Sequence, residues 1–367
     1  MKKYDAQSIR NLCFVSHGGV GKTSLAEALC FTTKGFPRLG KTANGTSTFD
    51  HRADEKERRM TISMHPGFCE WKETKINFLD TPGFLDLAGD IHAAVRVVES
   101  AVVLVDAASG IQVGTECALR IVSGANLPHL FLINGLDKDG ADFEAALSAL
   151  KEQFKTAIAP VHLPIGKGAG FKGIVDLITL EAFEYAREGS GIGQKIEVPA
   201  GLADSIKAHR LALMESVAET DETLMNAYFD KGELSVDELR QGLAAGLARN
   251  SLYPVLCASA ALNMGTDLLL DAMVQFSPPA ASRKEIQALE GQAQKPVACS
   301  PAAPMTALVF KTISEEHIGE FNLVRVFSGR LALGTEVQNN TRNISEKPMN
   351  LYLLRGHDRT EAGELVA

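Results

Sequence analysis

Residues 11–24 read NLCFVSHGGVGKTS, and the fold turns on how that stretch is interpreted. The apolar run Asn11 to Val15 stops at a glycine-rich segment, and a helical pattern runs from Lys22 to about Phe31. Strand, glycine turn and helix in that order make a cradle for phosphate. Glycines let successive backbone N–H groups converge on phosphate oxygens, and the helix N-terminus adds the positive end of its dipole. Ser16 to Ser24 matches the pattern G-x-x-x-x-G-K-[ST] except at its first position, which holds Ser16. Gly18, Gly19, Val20, Gly21 and Ser24 are therefore candidate phosphate contacts. Lys22 is placed to reach the β- and γ-phosphates, and the Thr23 hydroxyl to bind Mg2+.

Outward from the loop, strand and helix patterns alternate. Thr61 to Trp71, Lys75 to Leu79, Ala101 to Val105 and Leu130 to Ile133 read as strands, while the polar stretch Lys34 to Arg59 reads as a loop. This rhythm predicts an α/β, doubly wound, mostly parallel sheet covered by helices on both faces. After about Thr156 the rhythm changes. Short strands at Val161 to Ile165 and Gly173 to Leu177 precede helices over Ala203–Val217, Glu222–Phe229 and Val236–Ala248. A strand, Tyr253 to Ala258, and a helix, Thr266 to Phe276, then resume the first pattern. The expected division is a nucleotide-binding domain over 1–156 and 251–277, an inserted α+β subdomain over 157–250, a Pro/Ala-rich linker over 278–304 and a small β-barrel over 305–367. The β pattern breaks off at GELVA, so the barrel is read as incomplete and the chain as part of a longer protein.

Two further segments carry chemistry. Asp80-Thr81-Pro82-Gly83 closes an apolar strand, where a carboxylate can reach Mg2+ and Gly83 can bring its N–H close to a γ-phosphate. Asn134-Gly135-Leu136-Asp137 follows the strand 130–133 at the ligand-facing edge of such a sheet. The Asp137 carboxylate can accept two hydrogen bonds from guanine that adenine does not offer, and Ser259-Ala260 can complete the base pocket with a backbone N–H. In this order after the phosphate segments, they turn a nucleoside triphosphate site into a GTP/GDP site.

The 367 residues exceed one ordinary core, and 45% hydrophobic with 22% charged residues excludes a disordered or fibrous chain. A net charge of −8 excludes an overall basic field that would draw the chain onto nucleic acid. The six cysteines are scattered without metal-ligand spacing, which suits reduced thiols in a cytoplasmic protein. The N-terminus MKKYDAQSIRN lacks a signal peptide's apolar stretch, and no window is long and apolar enough for a bilayer, so no membrane partner is expected.

The four segments in this order resemble the GTPase domain of elongation factor G, a translational GTPase, over essentially the whole chain. ERRMTIS, Glu57 to Ser63, is similar to the end of that family's switch I, which implies that Thr61 contacts Mg2+ and the γ-phosphate. DTPGFLDL, Asp80 to Leu87, resembles switch II; LPIGKGAGFKGIVDLI, Leu163 to Ile178, the inserted subdomain; VLCASAALNMG, Val255 to Gly265, the last base motif; and RVFSGRLALGTEV, Arg325 to Val337, the β-barrel that follows. The resemblance implies a monomeric factor that binds the ribosome, both rRNA and ribosomal proteins, and hydrolyses GTP to drive translocation or disassembly. Lys22, Thr61 and Gly83 would be catalytic, and Thr23, Thr61 and Asp80 would hold Mg2+.

Several positions depart from the family pattern. Phe84 stands where the family has the histidine that positions attacking water, and a phenyl ring can neither hydrogen-bond water nor carry charge. Gly135 replaces the lysine whose stem covers one face of the guanine, Gly19 an acidic P-loop residue, and Arg59 a glycine of switch I. Hydrolysis is accordingly expected to be weakened, and a nucleotide-responsive ribosome-binding regulator without hydrolysis is the second reading. His17, His51 and His92 are read as surface or packing histidines.

Overall fold

The computed structural model describes residues 2–154, 157–290, 293–315 and 319–367. The chain opens with β1 (Ile9–Val15) and α1 (Lys22–Thr32), followed by a short helix α2 (Ala53–Arg58) and an antiparallel pair, β2 (His65–Trp71) and β3 (Thr74–Asp80). Next come α3 (Gly89–Val95), β4 (Ser100–Asp106), α4 (Val113–Gly124), β5 (His129–Asn134), α5 (Phe143–Phe154) and β6 (Ile158–Pro160). The insertion holds β7 (His162–Ile165), β8 (Gly173–Asp176), β9 (Glu181–Glu184), β10 (Gln194–Ile196) and helices α6 (Ala203–Ala218), α7 (Glu222–Lys231) and α8 (Val236–Ala248). β11 (Tyr253–Ala258) and α9 (Thr266–Phe276) return to the first unit.

One seven-stranded sheet runs β2-β3-β1-β4-β5-β11-β6, parallel throughout except for β2. β4 and β5 are buried along their whole length, as continuous apolar runs covered on both faces require. α1 and α9 pack together and against β2 and β3, while α3 and α4 pack together and against β1. Every candidate segment leaves the carboxyl end of a strand: 16–21 after β1, Pro82 and Gly83 after β3, 135–137 after β5, and 259–260 after β11. Ligands of open parallel sheets bind at that edge.

Four boundaries differ from the sequence reading. The strand expected from Thr61 starts only at His65, because its first amides are taken by side chains: those of Ile62 and Ser63 donate to Glu55 (3.0 and 3.2 Å), and that of Met64 to Asp90 (2.7 Å). The loop 34–59 contains α2, which ends at Arg59 in the left-handed region (φ 53). β6, placed by sequence in the insertion, pairs with β11 at the edge of the main sheet, so the separate antiparallel sheet β10-β9-β8-β7 begins at His162. The linker carries an antiparallel hairpin, β12 (Glu285–Glu290) with β13 (Ala293–Ala298), because Glu-Ile-Gln-Ala-Leu-Glu and the strand that follows can satisfy each other's backbone groups.

The C-terminal part is β-rich. β14 (Thr306–Glu315) pairs with β15 (Gly319–Ser328), and short strands follow: β16 (Arg330–Ala332), β17 (Val337–Asn339), β18 (Ile344–Glu346), β19 (Tyr352–Arg355), β20 (Asp358–Glu361) and β21 (Glu364–Val366). They pair as β16–β21, β17–β18 and β19–β20. Among the described residues these are separate two-stranded ribbons and not a closed barrel. The part is lashed to the sheet domain by charge: Lys311 pairs with Asp90 (2.6 Å), Arg325 and Arg283 converge on buried Glu99, and the Arg355 guanidinium lies 3.9 Å from the Phe68 ring centre. Among the described residues no helix is long and apolar enough to cross a membrane, and all six cysteines are free.

Candidate nucleotide-binding site

The phosphate loop depends on glycine at particular points. Gly19 (φ 78) and Gly21 (φ 105) are left-handed, and Gly21 is the N-cap of α1. A Cβ on Gly21 would stand 2.5 Å from Asn134 Nδ2, and one on Gly83 would stand 2.4 Å from Lys22 Nζ and 2.5 Å from the Gly18 nitrogen. Gly83 thus presses its backbone against the loop as a γ-phosphate contact would need. Buried Lys22 donates from Nζ to the carbonyls of His17 (2.9 Å) and Ser16 (3.3 Å). Burial pulls its ammonium down to about 8, against the pull of Asp80 and Asp50. Val20 is buried and Ser24 lies half-buried in the first turn of α1. The Ser16 hydroxyl is buried at the floor of the loop without a partner among the described residues.

Beside the loop is a pocket of oxygen donors. Thr23 Oγ1 and Thr61 Oγ1 are 2.8 Å apart, so the end of the 34–61 segment folds back onto α1. Both carboxylate oxygens of Asp80 and Oδ1 of Asp50 are buried without a hydrogen-bond partner among the described residues. Burial and the charge of Asp50 push Asp80 up to about 7, and burial pushes Asp50 up to about 6 although the Thr61 hydroxyl favours its ionised form. Two such carboxylates with two hydroxyls fit a hard dication such as Mg2+. Asp50 was missed by sequence reasoning. It lies in the stretch taken for a structureless loop, and only its burial beside Asp80 distinguishes it from the neighbouring surface acids.

The base-recognition residues frame one another. Asn134 donates from Nδ2 to the Val20 carbonyl (2.7 Å) and accepts at Oδ1 from the Ala260 amide (2.9 Å), tying the phosphate loop to the strand-β11 loop. Asp137 accepts at Oδ1 from the Ser259 hydroxyl (2.6 Å). The Ala260 amide, which sequence reading assigned to the base, is engaged by Asn134, and Ser259 orients the carboxylate. Lys22, Thr23, Thr61, Asp80, Gly83 and Asn134 converge with Asp50 on one edge of the sheet, and Asp137 extends that line.

Residues 7–279 match the family model described as the elongation factor Tu GTP binding domain. The chain belongs to this family of translational GTPases. A crystal structure of a protein from Thermus thermophilus superposes on 98% of the chain with a TM-score of 0.85 at 29% identity. The match covers 51% of that protein, so the chain spans about half its length.

The GTP-binding domain explains what its unusual residues do. Gly135 (φ 80) has the Lys138 stem beside it: Cε and Cδ lie 3.0 and 3.1 Å from where a Cβ on Gly135 would stand. The Lys138 ammonium pairs with Asp106 at the end of β4. The Phe84 ring, 42% exposed, lies over Gly18, with two ring carbons 2.7 Å from where a Cβ on Gly18 would stand. His17 does not take the place of the missing imidazole. Its Nδ1 accepts from the Gly114 amide (3.3 Å) and its own amide donates to Thr115 Oγ1 (3.3 Å), so it packs against the start of α4. His92 is exposed on α3. Gly19 has open space where a Cβ would project.

Proposed function

We propose that the chain is the nucleotide-binding part of an elongation factor G-like translation factor. It binds GTP and GDP with Mg2+, acts at the ribosome through rRNA and ribosomal proteins as a cytoplasmic monomer, and hydrolyses GTP slowly to drive translocation or disassembly. The observation that carries this reading is the group Asp50, Asp80, Thr23 and Thr61 next to Lys22, in which the buried carboxylate oxygens of Asp80 and Oδ1 of Asp50 have no hydrogen-bond partners among the described residues. Mg2+ in that set would neutralise charge that develops on the transferred phosphoryl group. Lys22 would exchange the Ser16 and His17 carbonyls for phosphate oxygens, and the Gly83 and P-loop amides would hold the γ-phosphate. Asp137, oriented by Ser259, would select guanine.

The second reading, a ribosome-binding regulator that does not turn over GTP, is favoured by one observation. The Phe84 ring covers Gly18, and a phenyl ring cannot orient water by hydrogen bonding. Calorimetry with GDP, a GTP analogue and ATP tests nucleotide binding. Guanine-selective, Mg2+-dependent binding is expected, and equal affinity for ATP would overturn the base assignment. Co-sedimentation with ribosomes in the GTP-analogue state tests the partner. Single-turnover hydrolysis on ribosomes then separates the two readings: Phe84→His is expected to raise the rate about 100- to 10,000-fold, the span of one positioned acid–base group. A rate that does not move would favour the regulator.

A further inference from the structure

The segment between Asp50 and His65 carries a cluster that the nucleotide site does not use. One donor atom from each of His51, Glu55 and His65 lies within 4.8 Å of the other two. Glu55 and His65 are buried, and His51 is half-buried at the surface of the set. Glu55 Oε1 accepts from His65 Nε2 (2.8 Å) and from the amides of Ile62 and Ser63. A salt bridge alone would need only those two side chains. The His51 ring adds a third donor, 5.2 Å centre to centre from the His65 ring.

The tautomers favour metal binding. His51 Nδ1 faces the Phe49 carbonyl at 2.9 Å, and a carbonyl only accepts, so Nδ1 carries the proton and Nε2 keeps a lone pair. Metal-bound histidines are held in this way, with the second ring nitrogen donating to a backbone carbonyl or carboxylate. His357, on the turn between β19 and β20, lies beside the set but has both ring nitrogens engaged, Nε2 by the Asp358 carboxylate at 3.1 Å. Its Nδ1 faces the Thr48 carbonyl (3.0 Å) and its ring lies 5.5 Å from that of His51.

We propose that His51, Glu55 and His65 form a site for a borderline transition-metal dication of the Zn2+ class, with the fourth position open to water beside His357. Donors about 2.0–2.2 Å from tetrahedral Zn2+ stand roughly 3.3 Å apart, so the set closes by small side-chain rotations. The dication takes the place of the proton shared by Glu55 and His65. The nitrogen donors separate this site from the oxygen donors at Asp50 and Asp80. Its ligands flank Asp50 and Thr61, so an ion here staples the segment in its folded-back form. The inference does not depend on nucleotide binding.

The test uses the full chain, stripped with EDTA and then saturated with Mg2+ and GDP, titrated with Co2+ and followed by visible absorption. About one equivalent with the intense d–d band of a four-coordinate nitrogen and oxygen site, displaced by Zn2+, is expected. His51→Ala and His65→Gln should each weaken the metal at least about tenfold, as even outer-shell losses do. His92→Ala, at an exposed position on α3, should change nothing. Zn2+ should also protect residues 34–59 from protease in the parent chain and not in His51→Ala. Absence of the band, or unchanged affinity in His51→Ala, overturns the site. Because His51 is half-buried and outside the Glu55–His65 pair, that variant decides the question even if His65→Gln does not fold.

Discussion

Gly135 stands at φ 80, a conformation that glycine adopts without strain, with the Lys138 stem in the space a side chain there would enter. The Lys138 stem is thus the candidate for the aliphatic cover lost with the family lysine, and the Asp106 pair holds that side chain in place. Lys138→Ala should weaken GDP about tenfold, the worth of one to two methylenes at roughly 0.8 kcal/mol each, read by titration with a fluorescent GDP analogue. Gly135→Lys alone should not improve binding, because its Cβ would meet Lys138 Cε at 3.0 Å. If Lys138→Ala binds as well as the parent, the stem does not cover the base. Asp137 gives the sharper effect: Asp137→Asn loses a charged acceptor for two guanine donors and should cost at least about 100-fold in affinity for GDP.

The segment from Thr46 to Thr61 is an element held from two sides. On one side Glu27 of α1, fully buried, accepts at Oε1 from Ser47 Oγ (2.8 Å) and from the amides of Thr48 (2.5 Å) and Phe49 (3.3 Å). On the other, the Thr48 carbonyl accepts from the His357 amide (3.1 Å) of the β-rich part. Glu27→Ala takes the acceptor from the Thr48 amide and the Ser47 hydroxyl, while the Phe49 amide keeps Ser47 Oγ (3.1 Å), and should destabilise the fold by about 2–3 kcal/mol, with faster proteolysis within 34–59. Glu27→Gln keeps a carbonyl acceptor and should lose less. Thermal unfolding with a protease time course reads both, and a Glu27→Ala chain as resistant as the parent would remove Glu27 as the anchor. The strand and helix frame was legible because its signals are local: β11 and α9 fall where the apolar runs at 253–258 and 266–276 put them. The phosphate, Asp80 and Asn134 segments were legible because each sits at a strand end. Asp50, α2 and the start of β2 were not, since Glu55, Asp90 and Glu27 satisfy the backbone of this stretch from positions that no local pattern reveals. The β12–β13 hairpin escaped for a different reason: its composition is that of a linker, and pairing alone makes it a strand.

For the whole molecule, two buried histidines set the acid limit. His129 opens β5, stacked 4.5 Å from the Tyr253 ring, with Nδ1 on the Leu127 carbonyl and Nε2 buried without a partner among the described residues. Burial drives it down to about 4, and it drives His162 down to about 4 against the charges of Asp176 and Asp271. Both are neutral in the fold and take up protons when unfolded, where an imidazole titrates near 6.5. The unfolded chain therefore binds more protons between about pH 6.5 and 4, and stability falls as pH falls through that window. Asp80 and Asp50, raised to about 7 and 6, work in the opposite sense, because the folded chain holds their protons as pH drops. A simple pH scan of the parent chain sums these opposing terms. Comparing His129→Phe with the parent isolates one of them, since the carboxylates are common to both. The variant keeps the ring stack with Tyr253 and Phe131 and removes the titrating group. Relative to the variant, the parent should lose up to about 3 kcal/mol between pH 7 and 4, the linkage equivalent of a shift of roughly 2.5 units. Urea unfolding at each pH measures it. Parallel stability curves for the two chains would mean that His129 is already charged in the fold, and that its burial among aromatic rings does not exclude the proton.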